Sequence, residues 1–166
     1  MKKTLLCSVL LLLGASFAFS QSSEVISEII DSEKATFAQI SYLPALYANL
    51  ITESDSAKSL GAMSSSKDSS AATAEAFEAL KSNNYFNSDT EANKEVTIAQ
   101  VSFVYMKALG IKGGLFYTLF PSARYAFKEL KAKGILPLET DPAMKLSGRE
   151  SIDLFTSCLE IVEGAE

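Results

Sequence analysis

The sequence predicts a mostly α-helical protein in which helix-loop-helix repeats pack into one small domain. Three observations lead to this prediction: apolar residues recur at helical spacing, strand-like alternation is rare, and one short segment occurs in three versions. The chain of 166 residues is long enough for one domain with a reasonable core. Its hydrophobic content of 48% excludes a wholly disordered chain.

The recurring segment begins at Ala35, Val96 and Leu146. In each version a Ser or Thr is followed three residues later by Gln or Glu, which is the pattern of a capping box. The hydroxyl then accepts a hydrogen bond from the amide of the third helical residue, whose side chain bonds the amide of the cap. Apolar residues at helical spacing follow, and we interpret them as core faces. The boxes pair Thr36 with Gln39, Thr97 with Gln100, and Ser147 with Glu150.

The helices that precede two of these boxes also repeat. AFEALK begins at Ala76 and AFKELK at Ala126, and both are the same distance from the next capping box. The stretch from Ala76 to Thr97 therefore matches the stretch from Ala126 to Ser147 without a gap. Repetition at a fixed spacing is typical of stacked units that cannot bury their apolar faces alone.

These residues resemble the S-layer homology (SLH) repeat. VTIAQVSFVYMKALGI resembles the second half of that repeat and AFKELKAKGIL the first half, with Pro142 in the expected place ahead of the cap. The resemblance covers residues 122–163, 72–111 and, for half a repeat, 35–51. It implies a fold of helical repeats and attachment to an anionic cell-wall polysaccharide. The family's Arg after the Thr and its glycine-rich loop are replaced here, the Arg positions being Phe37, Ile98 and Gly148.

The chain divides into six segments. Residues 1–20 form a predicted export signal, since Lys2 and Lys3 precede an apolar run that ends in Ala18-Phe19-Ser20. The protein is therefore expected in the periplasm or cell envelope, with no transmembrane span once the signal is removed. The other segments are a helical arm or partial repeat (21–51), a Ser-rich linker (52–71), one repeat (72–111), an aromatic connector (112–121) and a second repeat (122–163).

Three local expectations follow from this division. Residues 22–33 should form a short amphipathic helix, which would supply the first arm of the opening repeat. Pro44 should kink or end the helix from Thr36 near Leu43. The aromatic residues of the connector are expected to pack between the repeats, with an exposed patch for a partner as the alternative.

The sequence contains no histidine, which removes the usual general base and the commonest metal ligand. It has no Gly-rich phosphate loop and no Cys-x-x-Cys pair. Cys158 alone follows the export signal, so no intrachain disulfide is expected, and its apolar neighbours indicate a buried thiol. We expect a protein without enzymatic activity, metal or cofactor.

Charge is distributed unevenly along the chain. The formal net charge of −5 argues against nucleic acid as a partner. Residues 107–149, however, hold eight basic and three acidic residues. Within this part Lys133, Lys145 and Arg149 are the candidates for binding an anionic polymer and are expected to converge beside the last capping box. The alternative is a solvated face that pairs with the acidic segments.

The expected function is that of an exported, non-enzymatic cell-envelope protein with SLH-like repeats. It would attach to cell-wall polymer or dock within the envelope. The alternative is a periplasmic helical adaptor that binds only another protein.

The export signal makes the first testable prediction. Cleavage after Ser20 should leave a mature protein whose N-terminal sequence reads QSSEV, because small residues precede that bond. Edman sequencing of the native protein checks this, and a mature protein that keeps Met1 would contradict it.

Overall fold

The computed structural model describes residues 23–52 and 65–164, with the side chains of 65–68 left out. The predicted export signal and its cleavage site lie outside this range. Within it the protein is helical and has no strand, which confirms the mostly α prediction. The helices are α1 (23–31), α2 (Phe37–Tyr47), α3 (Ser65–Ser82), α4 (Ile98–Ala108), α5 (Leu115–Leu119), α6 (Ala123–Ala132) and α7 (Gly148–Glu163).

The three capped helices, α2, α4 and α7, form the centre of the fold, and each contacts the other two. All three predicted capping boxes are present. In the middle one the Thr97 amide donates to Gln100 Oε1 at 2.9 Å, and the Gln100 amide donates to Thr97 Oγ1 at 3.4 Å. These bonds satisfy amides that lack a partner within the helix.

The residues just before the caps meet at the middle of the molecule. Ala35, Val96 and Leu146 are all buried there. The Val96 amide donates to the Ala35 carbonyl at 3.0 Å, and the Ala35 amide donates to the Leu146 carbonyl at 2.7 Å. Main-chain hydrogen bonds between residues distant in sequence thus hold the three helix starts together.

A second set of hydrogen bonds links the units in a closed cycle. We define a unit as an outer helix, a loop and a capped helix: α1 with α2, α3 with α4, and α6 with α7. The first amide of each capped helix donates to a carbonyl in the segment leading to the cap of the next unit. The bonds run from Phe37 to Lys94 at 3.1 Å, from Ile98 to Met144 at 2.8 Å, and from Gly148 back to Ser32 at 2.9 Å.

Outer helices also pack against the preceding unit. Helix α3 packs on α2, and α6 packs on α4. The segment that follows α1 binds the start of α7, so the first unit closes the cycle onto the last. The amphipathic helix expected at 22–33 is present as α1, where Val25 and Ile29 are buried. Each unit therefore needs a neighbouring unit to bury its apolar surface.

The two matched stretches adopt the same backbone conformation. Lys81 Nζ donates to the Thr90 carbonyl at 2.9 Å, and Lys131 Nζ donates to the Thr140 carbonyl at 2.8 Å. After the outer helices, Asn84 and Gly134 both have positive φ, at 60° and 78°. Asn and Gly are the residues that enter this left-handed region most readily.

The structure differs from two expectations about helix ends. Of the two effects expected of Pro44, a kink or an end near Leu43, the end is wrong, since helix α2 continues through Pro44 to Tyr47. Pro44 and Ala45 are buried, and that packing offsets the lost amide donor. Helix α3 begins at Ser65, inside the predicted linker, whereas residues 53–64 lie outside the described part. Small residues at Ser69, Ala72 and Thr73 face the interior there, a pattern that large-residue periodicity does not reveal.

Gly148 occupies a place where no side chain fits. A Cβ at this position would overlap the Ile29 carbonyl oxygen and Ser32 Oγ. The close approach allows the Gly148 amide to reach the Ser32 carbonyl, which is the bond that closes the cycle. The absence of a side chain at position 148 therefore has a structural cause.

We expect Gly148→Ala to destabilise the protein by at least about 2 kcal/mol, because the main chain of α1 at Ile29 must move. Gly164→Ala is the matched control, since its Cβ would approach only the Glu160 carbonyl near the end of α7. Urea unfolding followed by far-UV circular dichroism measures both. Equal midpoints for the two variants would contradict the role given to Gly148.

Candidate functional site

Among the grooves in the described part of the chain, two lie at corresponding places between neighbouring units, each beside the start of a capped helix. The first has a volume of about 340 Å³ and is called the aromatic groove. The second has a volume of about 280 Å³ and is called the acidic groove. The aromatic groove is lined by Phe37, Tyr85, Phe86, Asn87, Thr90, Gln100, Phe103, Val104, Pro121, Ser122 and Ala123. The acidic groove is lined by Ile98, Ile135, Leu136, Pro137, Thr140, Met144, Leu146, Glu150, Asp153, Leu154 and Ser157.

Most lining positions of the two grooves correspond. Four loop positions in one unit match four in the next, and four positions on the capped helices match as well. The pairs are Phe37 and Ile98, Tyr85 and Ile135, Phe86 and Leu136, Asn87 and Pro137, Thr90 and Thr140, Gln100 and Glu150, Phe103 and Asp153, and Val104 and Leu154. The repeated backbone thus builds one groove twice and lines it with different chemistry.

The aromatic groove combines ring faces with uncharged polar groups. Phe86 is fixed from two sides, because its ring centroid lies 5.2 Å from that of Phe77 and 5.3 Å from that of Phe37. Tyr85 and Phe103 add further rings, and Asn87 and Thr90 add an amide and a hydroxyl. A concave site with aromatic walls and a few polar groups is typical of small-ligand binding.

Lys107 supplies a positive charge beside this groove. Its Nζ lies 4.7 Å from the Tyr85 ring centroid and 5.9 Å from that of Phe103. It donates a hydrogen bond of 2.6 Å to the Asn84 carbonyl, which holds the side chain over the rings. Partial burial lowers the pKa of Lys107. An anionic group on a ligand in the aromatic groove would find this ammonium close by.

The acidic groove has the opposite electrostatic character. Glu150 replaces Gln100 and Asp153 replaces Phe103, so two carboxylates stand where the first groove has an amide and a ring. Glu150 also accepts hydrogen bonds from the amide and hydroxyl of Ser147 as part of its capping box. An anionic ligand is disfavoured here by like charge.

The three lysine and arginine candidates do not converge. Lys145 pairs with Thr97 in an isolated bridge and donates from Nζ to the Glu95 carbonyl at 3.0 Å. Arg149 is exposed in the first turn of α7, at the same end of the molecule. Lys133 caps the end of α6 and lines a cavity with Ile161. Because residues 149 and 161 are twelve positions apart on one helix, about 18 Å separates these ends.

Sequence reasoning missed Tyr85, Asn87 and Phe103 as groove residues. The signal was present, since Tyr85 and Asn87 belong to the loop that matches residues 135 and 137. Comparison of the two loops position by position would have marked an aromatic and polar lining in only one of them. The basic residues that the sequence singles out lie elsewhere, and charge alone does not indicate a site built from rings and amides.

Comparison of the chain with models of known protein families, with curated proteins and with solved structures gave no match. Within residues 23–52 and 65–164, no group of three or more acidic or Cys side chains is placed to hold a metal ion. No helix in the same part of the chain has the length and apolar character needed to cross a bilayer.

Cys158 is fully buried on α7, as predicted, near Tyr105 of α4. Burial raises the pKa of the thiol to about 12. It also raises the pKa of the Tyr105 hydroxyl, whose ring packs edge-on against Phe155 at 5.1 Å. The neutral thiol therefore belongs to the core and is a poor nucleophile.

This burial makes stability depend on pH in the alkaline range. Above its ordinary pKa of 9.0 the unfolded thiol loses its proton while the folded thiol keeps it until about 12. The unfolded state then binds fewer protons, so stability falls as pH rises. Between pH 8 and 10 the thiol should account for a loss of about 1.4 kcal/mol.

The measurement is urea unfolding at both pH values for the wild type and Cys158→Ala. The variant should lose less stability than the wild type over this range, since all other titrating groups are shared. An identical loss in both proteins would show that the thiol is not protected from ionisation.

Proposed function

We propose that the protein is an exported, non-enzymatic cell-envelope protein with SLH-like repeats that attaches to a cell-wall polymer. The resemblance of the repeats and the closed cycle of three units support this proposal. The observation that carries it is the aromatic groove, which joins ring faces, an amide, a hydroxyl and a nearby ammonium in one concavity.

The chemistry of this groove suits a sugar chain. Pyranose rings present C–H groups that pack on aromatic faces, and their hydroxyls bond to amide and hydroxyl side chains such as Asn87 and Thr90. Lys107 would pair with an anionic substituent of the polymer. The lining of the acidic groove has no aromatic ring and no cation, and its carboxylates, Glu150 and Asp153, repel an anionic polymer.

Because the protein has a net negative charge, its attraction to an anionic polymer must come from local contacts and not from its overall charge. A chain with more acidic than basic residues is repelled by an anionic polymer at long range. Binding then depends on groups that act at contact distance, as rings and a positioned ammonium do. Lys133, Lys145 and Arg149 enter this proposal as separate surface charges outside the aromatic groove.

The test compares two variants at corresponding positions. Tyr85→Ala should weaken binding to purified sacculi that retain their polymers by about tenfold, since a central aromatic contact is lost. Ile135→Ala removes the equivalent side chain from the acidic groove and should leave binding unchanged. Lys107→Gln should weaken binding and reduce its sensitivity to salt. Melting temperatures show whether each variant remains folded.

Two results would overturn the proposal: equal binding by Tyr85→Ala and the wild type, or no binding of the wild type at any salt concentration. The alternative function is that of a periplasmic adaptor that binds only another protein. The apolar lining of the acidic groove favours it, because Ile135, Leu136 and Leu154 can receive an apolar side chain of a peptide. Co-purification with an envelope protein in the absence of sacculi would support the adaptor.

A further inference from the structure

The connector between α4 and α6 exposes an apolar surface that the proposed grooves do not use. Four side chains of α5 and its end are largely exposed: Leu115 at 69%, Phe116 at 63%, Leu119 at 59% and Phe120 at 64%. We call them the α5 patch. They are the first, second, fifth and sixth residues of the segment 115–120. This spacing places them on one side of the helix. The expectation that the connector's aromatics pack between the repeats is wrong for Phe116 and Phe120.

The connector is nevertheless anchored. Tyr117 is half-buried and packs against the core, and it lies so close to Gly113 that a Cβ there would meet the ring. The Gly114 carbonyl accepts from Thr118 Oγ1 at 3.1 Å and from the Thr118 amide at 3.0 Å, which fixes the first turn of α5. The α5 patch is therefore held outward by a fixed turn and an anchored ring.

Basic residues flank this patch in the sequence. From Ala108 to Lys128 there are three basic residues and no acidic residue, and Glu129 follows, with its carboxylate beside Gly114 and Tyr117. Phe116 stacks on Tyr125 with centroids 5.9 Å apart, and Lys128 Nζ lies 6.0 Å from the Tyr125 ring. One cation is thus linked to the patch through two rings. Lys112 and Arg124 are exposed on the two sides of α5 in sequence.

We propose that the α5 patch inserts into the surface of an anionic lipid bilayer. A projecting apolar face enters the boundary between headgroups and acyl chains, while flanking Lys and Arg pair with anionic headgroups. Tyr125 lies between the apolar ring of Phe116 and the cation of Lys128, the arrangement that aromatic residues adopt at such boundaries. This inference uses different residues from the polymer groove and stands or falls independently of it.

The charge around the α5 patch favours an anionic bilayer over a second copy of the chain as its partner. If two α5 patches met face to face, the symmetric contact would bring the set Lys112, Arg124 and Lys128 of one copy near the same set of the other, with Glu129 offsetting one of the three positive charges on each copy. Like charges oppose that arrangement. An anionic bilayer offers the opposite charge and, beneath it, the apolar medium that the four side chains require.

The test uses the absence of tryptophan from the sequence. Phe116→Trp places one indole in the α5 patch, and Leu138→Trp places one at an exposed apolar site outside it, where the exposed fraction is 78%. Both full-length proteins are mixed with phosphatidylcholine vesicles with or without phosphatidylglycerol, and with the same vesicles carrying brominated acyl chains. Emission at 116 should shift to the blue and be quenched by bromine in the anionic vesicles, whereas emission at 138 should not change.

Two further variants test the parts of the patch. The first combines Phe116→Ser with Leu119→Ser in a background that carries Leu138→Trp. The second combines Arg124→Gln with Lys128→Gln. Each should weaken co-sedimentation with anionic vesicles by about tenfold. Lys94→Gln, an exposed lysine outside the connector, is the control for loss of charge. Unchanged emission at 116 in both kinds of vesicle would overturn the proposal. A blue shift that depends on protein concentration without vesicles would overturn it in favour of self-association.

Discussion

The fold depends on the main-chain hydrogen bonds at the meeting point of the three caps. Val96 donates to Ala35, Ala35 donates to Leu146, and the first amide of each capped helix donates to the approach to the next cap. These bonds satisfy helix-terminal amides in a buried place, where an unpaired amide would be costly. They also join residues about 50 to 110 positions apart in sequence, so the centre cannot form until all three units are in place. Gly148 is the tightest point of this arrangement.

The same cycle explains why the grooves occur at corresponding places. Each groove lies where the loop of one unit passes the start of its own capped helix and that of the preceding unit, and the main chain fixes its shape. Side chains then decide its chemistry. Where the aromatic groove has Gln100 and Phe103, the acidic groove has Glu150 and Asp153. The surface therefore differs between a neutral, aromatic one and one with two carboxylates, although the backbone around the caps is the same. The repeated scaffold in this way carries two grooves of different chemistry.

The connector that carries α5 differs from the rest of the chain in how it is stabilised. Most large apolar residues of the described part are buried between helices, whereas Leu115, Phe116, Leu119 and Phe120 are not. Tyr117 ties the connector to the core, and Gly113 allows the turn that brings it there. Surface apolar residues gathered in one place on a small protein are commonly a contact site. The basic residues that flank them in sequence, Lys112, Arg124 and Lys128, favour an anionic contact surface.

The sequence by itself determined the helical class, the three capping boxes, α1, the equality of the two matched stretches and the burial of Cys158. All of these depend on local spacing or on hydrophobicity, which the order of residues records directly. Only the tertiary structure decided that α2 continues through Pro44, that α3 begins at Ser65, that Lys133 lies far from Arg149, and that the α5 side chains stay exposed. Each of these depends on which surfaces meet, and those contacts join residues distant in the chain. The aromatic groove depends on the sequence and on the tertiary structure. Its rings are visible in the sequence, but Phe37, Tyr85 and Phe103 come from three different elements. The closed cycle of units brings these elements together.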